Sequence, residues 1–99
     1  MVKLIKIVKS PNVTKKYRAY FDDGTITDFG AAGMMDYILY NKHNGDKEAD
    51  VRKNLYINRH KSDLETRDPK RSGYLAMYIL WNKRTFDESV ADYKNRFNL

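Results

Sequence analysis

Residues 15–29, KKYRAYFDDGTITDF, decide the fold of this 99-residue chain. Tyr17, Ala19 and Phe21 alternate with Lys16, Arg18 and Tyr20, the period-two pattern of a strand with one buried face. Asp22-Asp23-Gly24-Thr25 follows, and an Asp-Gly pair supplies the positive φ that a tight hairpin needs. Ile26 to Phe29 then returns as the second strand of an antiparallel ribbon.

Upstream, residues 2–9 place Val2, Leu4 and Ile7 against Lys3, Lys6 and Lys9, a β-branched pattern that predicts a third strand ending at the turn Ser10-Pro11-Asn12. Downstream, Gly30, Ala31, Ala32 and Gly33 predict a bend or a close backbone approach. Neither the P-loop ending nor the Rossmann glycine spacing is present there. Met34 to Asn41 is apolar and is compatible with a short helix or another strand, and His43-Asn44-Gly45-Asp46 breaks the chain.

Three helices are expected beyond that break. Asp46 is placed to cap a helix over roughly 47–61, on which Val51 and Leu55 share one side and Arg52, Lys53, Tyr56, Arg59 and His60 form an adjoining basic arc. Residues 62–71 are polar and predict a loop. Ser72 is placed to cap a second helix over about 73–82, whose apolar residues occupy nearly every angle, as in the centre of a domain. Thr85 with Glu88 is a capping box opening the last helix, with Phe86, Val90, Tyr93 and Phe97 on one stripe. The chain is thus expected to be a single α+β domain over 1–99: a small N-terminal antiparallel β-sheet, hairpin or meander, packed against about three C-terminal helices.

Composition restricts the chemistry. The chain has no cysteine, which excludes disulfides, thiolate metal sites and cysteine nucleophiles. Its two histidines, His43 and His60, are too few for a multi-histidine metal site, and Asp22, Asp23, Asp28 and Asp36 read as turn and strand residues rather than a magnesium cluster. No catalytic residue, metal, cofactor or small-molecule substrate is expected. The N-terminus interleaves lysine with aliphatics, unlike a signal peptide, and no stretch approaches a membrane span, so a soluble intracellular protein without a membrane partner is expected.

The net charge of +6 is unevenly spread. Residues 1–21 carry +6, residues 22–51 carry −5, residues 52–71 carry +4 and residues 72–99 carry +1. Two basic blocks flank an acidic one, which points to an anionic partner or a complementary self-contact. The candidate nucleic-acid-binding residues are Lys16, Arg18, Arg52, Lys53, Tyr56, Arg59, His60, Lys61, Lys70 and Arg71: cations that neutralise phosphate, with Tyr56 or Tyr74 able to pack on sugar or base if exposed. Non-catalytic binding of nucleic acid, DNA above RNA, is the first expectation. A protein-interaction or virion structural module, with a homodimer through a strand edge or the aromatic surface, is the second, and a small phosphodiesterase using His60 or the aspartates is the third.

Phe21-Asp22-Asp23-Gly24, Phe29-Gly30, Gly33, Asp36-Tyr37, Arg52, Tyr56, Arg59-His60, Asp68-Pro69, Gly73, Ile79-Leu80-Trp81-Asn82, Thr85, Ser89, Tyr93 and Arg96-Phe97 occur in a succession that resembles a family of short basic proteins encoded by large DNA viruses of amoebae and algae. The resemblance spans residues 15–97, departs at the polar insert Asn41–Ala49, and is most specific at the Arg-His pair and the Ile-Leu-Trp-Asn stretch. It implies a viral origin, a location in host cytoplasm, nucleus or viral factory, and packaging in the virion. It carries over no activity.

Overall fold

The computed structural model describes residues 2–99. Strands β1 (Leu4–Lys9), β2 (Lys15–Phe21) and β3 (Ile26–Ala31) form an antiparallel sheet in the order β1-β2-β3. The hairpin closes as its sequence dictates: Gly24 takes φ +89, Phe21 N–H donates to Thr25 O at 3.0 Å, and Asp23 Oδ1 accepts from Thr25 N–H at 2.9 Å. Tyr20 then pairs with Ile26, Arg18 with Asp28 and Tyr17 with Phe29. Ala19, Phe21 and Phe29 are buried, so the alternation in residues 15–29 does separate a core face from an outer face.

Met34 to Asn41 resolves in favour of a helix, α1 (Tyr37–Asn44). Asp36 caps it, its Oδ1 accepting from Leu39 N–H at 2.9 Å. The next helix, α2 (Asp46–His60), starts one residue earlier than expected, and Asp46 is not its cap: Gly45 holds that position without a side-chain bond, and the Asp46 carboxylate pairs with Arg84 at 2.5 Å. Both Asp46 and Glu48 still lie in the first turn, where carboxylates favour the helix dipole.

Residues 62–71 are not wholly irregular, since a 3₁₀ helix covers Lys61–Thr66. Helix α3 (Ser72–Leu75) follows with Arg71, not Ser72, in the cap position, and it widens into a π-helical turn over Ala76–Leu80. This central segment buries Tyr74, Leu75, Met77, Ile79 and Leu80, as its all-round apolar character requires. Helix α4 (Phe86–Phe97) is capped by Thr85 as expected, Thr85 Oγ1 accepting from Glu88 N–H at 3.2 Å, but the Glu88 carboxylate accepts from the Thr85 hydroxyl at 2.9 Å rather than from the Thr85 backbone as in a full capping box. Its stripe of Phe86, Val90, Tyr93 and Phe97 packs on the core.

Phe29, Leu75, Ile79 and Tyr93 are fully buried where the inner sheet face meets the central helix and α4, and each such side chain contributes roughly 1.5–3 kcal/mol. The loop before α3 is tied to that core. Tyr93 donates its hydroxyl proton to Pro69 O, Tyr74 donates to Leu64 O at 2.8 Å, and Thr27 donates to Lys70 O at 2.8 Å. Gly30 lets the sheet approach the central helix, because a Cβ there would sit 2.8 Å from Leu80 Cδ1.

Candidate functional site

Helix α2 divides the expected basic arc: Arg52 and Arg59 are exposed, as that arc requires, but its other members turn inward. Val51 and Leu55 face outward and are more than half exposed, while Lys53, Tyr56 and His60 face the domain. Tyr56 stacks on Trp81 with centroids 4.4 Å apart and on His60 at 4.3 Å, forming a half-buried column of three rings. Burial, then Asp63, pushes the Tyr56 hydroxyl up to about pKa 12. Tyr74 is buried and presents no free ring.

Several of the expected phosphate contacts are engaged within the chain. Lys16 Nζ lies 2.8 Å from Asp36 Oδ2, both side chains being largely buried. Arg18 grips Asp28 across the strands at 2.8 and 3.1 Å, which holds the Asp28 carboxyl below the ordinary range. Lys70 Nζ lies 2.7 Å from Asp23 Oδ2 and likewise lowers that carboxyl. Lys53 Nζ donates to Asn82 O at 2.8 Å and lies 4.9 Å from the Tyr37 ring. Arg52 lies over the Tyr40 ring at 5.6 Å and 3.8 Å from Glu48, and Arg71 lies 3.8 Å from Asp68. His60 Nδ1 is 3.4 Å from Asp63.

The exposed side chains of Arg59 and Lys61 make no ion pair or hydrogen bond among the described residues. Lys15 shares that state, and sequence reasoning passed over it. The Lys15-Lys16 pair could have marked it, since strand alternation turns one lysine toward the acidic partner and leaves the other outside.

Lys15 and Arg59, 44 positions apart in sequence, line one hollow of about 290 Å³. The ends of β2 and β3 form one side, the C-terminal turn of α2 another, and Ala76 and Leu80 of the widened central helix, with Trp81 just after it, form a third. A second hollow of about 590 Å³ adjoins it through Lys15, Lys16 and Asp36, and runs past Val13, Leu39 and Phe86 toward Lys9. The two form one cleft with an apolar floor and basic margins. Asp36 is neutralised by Lys16, leaving Asp63, facing His60, as the other carboxylate in the smaller hollow. Among the described residues, no three His, Asp or Glu side chains gather as metal ligands.

Residues 5–60, just over half of the chain, match the model of a family of unknown function, DUF5754. The chain belongs to that family. No curated protein and no solved structure matches it. The DUF5754 segment ends at His60, so it supplies the sheet, α1 and α2, and with them Lys15, Lys16, Arg59 and His60. The wall carrying Ala76, Leu80 and Trp81 lies outside the matched segment.

Proposed function

We propose that this DUF5754 protein binds nucleic acid without reacting on it, and that the cleft margins supply the phosphate contacts. The observation that carries this is the convergence on one hollow with an apolar wall of Lys15 and Arg59, two exposed cations whose side chains make no ion pair or hydrogen bond among the described residues. Lys61, exposed two residues beyond Arg59, adds a further cation outside the lining of either hollow. Cations that release counterions from phosphates provide affinity without sequence preference, and a net charge of +6 favours encounter with a polyanion. DNA is the proposed polymer, and an infected cell's cytoplasm, nucleus or viral factory, with packaging in the virion, is the proposed setting; both rest on the viral resemblance. Titration of labelled DNA and RNA at several salt concentrations tests the proposal. Saturable binding whose logarithm falls linearly with that of salt supports it, and flat titrations at low salt refute it.

The second reading is a self-associating interaction module. It is favoured by Val51 and Leu55, one turn apart and outward on α2, and by Val8 and Ile26 on the outer sheet, all of them exposed. Sedimentation across a concentration series tests it: a dimer abolished by Leu55→Glu supports this reading, and a monomer at every concentration rejects it.

A further inference from the structure

The smaller hollow differs from a basic patch in being concave, small and apolar on one side. At about 290 Å³ it lies at the lower limit of ligand sites, roughly 300–1,000 Å³, and so has room for one planar group rather than a helix of nucleic acid. Its margin carries Lys15 and Arg59 and its wall carries Ala76, Leu80 and Trp81, while Met34 stands exposed at the mouth. Charge at the margin with an apolar wall behind it matches a nucleotide, whose phosphate is anionic and whose base has apolar faces. The π-helical turn widens the helix at this wall, a distortion that concentrates at functional sites.

We infer that this hollow takes one unpaired nucleotide of a single strand, its base against the Ala76–Trp81 wall and its phosphate between Lys15 and Arg59. The inference rests on the nucleic-acid reading above and adds to it a preference for unpaired strands. A base held within a duplex stays stacked and paired, so it cannot lay its face against the wall of a hollow of this size.

Trp81 is the chain's one tryptophan, so its emission reports the hollow directly. The wild-type protein is titrated with a labelled short oligothymidylate, an abasic strand of equal length, a blunt duplex and thymidine monophosphate, following strand anisotropy and Trp81 emission together. The inference predicts that oligothymidylate saturates both signals in step, and that the abasic strand binds about tenfold more weakly, as expected for one lost base contact. Abasic strand and duplex should both leave Trp81 emission unchanged. Saturating anisotropy without a Trp81 response, or equal affinity for the abasic strand, overturns the hollow while leaving nucleic-acid binding intact. A Trp81 response to the mononucleotide alone assigns the hollow to a free nucleotide and overturns the strand-bound version. No saturation with any strand overturns both readings.

Discussion

Tyr56 and Trp81 lie face to face, their ring centroids 4.4 Å apart and their planes 7° from parallel. One ring belongs to α2 and the other follows the central helix, so this contact fastens α2 against the domain and places Arg59 beside the cleft. The Tyr56 hydroxyl makes no hydrogen bond among the described residues, and packing is therefore the ring's contribution. Tyr56→Ala should cost about 2 kcal/mol, below the range for fully buried aromatics because Tyr56 is half-buried. Tyr56→Phe should be nearly neutral, and Leu55→Ser, on the outward side, should stay within about 0.5 kcal/mol. Urea unfolding of the three variants checks the order.

Gly30 and Gly33 both hold φ +81, yet their surroundings differ. A Cβ on Gly30 meets Leu80 Cδ1 at 2.8 Å and Lys16 Cβ at 3.2 Å, whereas one on Gly33 meets nothing within 4 Å. Gly33→Ala should cost only the left-handed backbone penalty, about 1–2 kcal/mol, and Gly30→Ala should exceed it by about 1 kcal/mol or more. Thermal unfolding of the pair measures the difference.

The hairpin and α4 were legible because their signals are local. Alternation from Tyr17 to Phe21 and the Asp-Gly turn need no distant partner, and neither does the pairing of Thr85 with Glu88. The orientation of α2 was not legible, because polarity ranked Val51 and Leu55 above Lys53, Tyr56 and His60 as burial candidates. Trp81 and Asn82, remote in sequence, reverse that order by offering a ring to Tyr56 and a carbonyl to Lys53. The same limit applies to the cleft. The charge blocks identified Arg59 and Lys61, but that Lys15 and Arg59 line one hollow depends on how the end of α2 is brought back to the start of β2, which no local pattern encodes.

Asp23 and Lys70 join the hairpin to the loop before α3 at 2.7 Å. The bond lowers the Asp23 carboxyl from its ordinary 3.8 and raises the Lys70 ammonium from its ordinary 10.5. A depressed carboxyl stabilises the fold above pH 3.8, and that contribution disappears as the pH falls toward the lower folded value. A raised ammonium stabilises below pH 10.5, and its contribution disappears as the pH rises beyond that. Asp23→Asn should therefore lower stability near neutrality and flatten both limbs of the stability–pH curve, as read by unfolding at a series of pH values.

Tyr17, Tyr37, Tyr56 and Tyr93 all have hydroxyls raised above the ordinary 10.0, with burial the first cause in each case. A raised phenol keeps its proton longer in the folded state, so Tyr56 stabilises fully below pH 10.0 and loses that contribution as the pH rises to about 12. Phenolate absorbance during alkaline titration should show a late fraction that ionises together with unfolding. Tyr56→Phe should reduce that fraction with little change in neutral stability.

The measurement that tests the account most directly compares two charge reversals of equal size in salt-dependent binding to single-stranded DNA. One variant joins Lys15→Glu with Arg59→Glu at the cleft, and the other joins Lys47→Glu with Lys94→Glu, exposed positions outside both hollows. The cleft variant should lose at least about tenfold in affinity and about two in salt slope, while the control should stay near wild type. Equal losses in the two variants, or none in either, would contradict a binding site at the Lys15–Arg59 cleft.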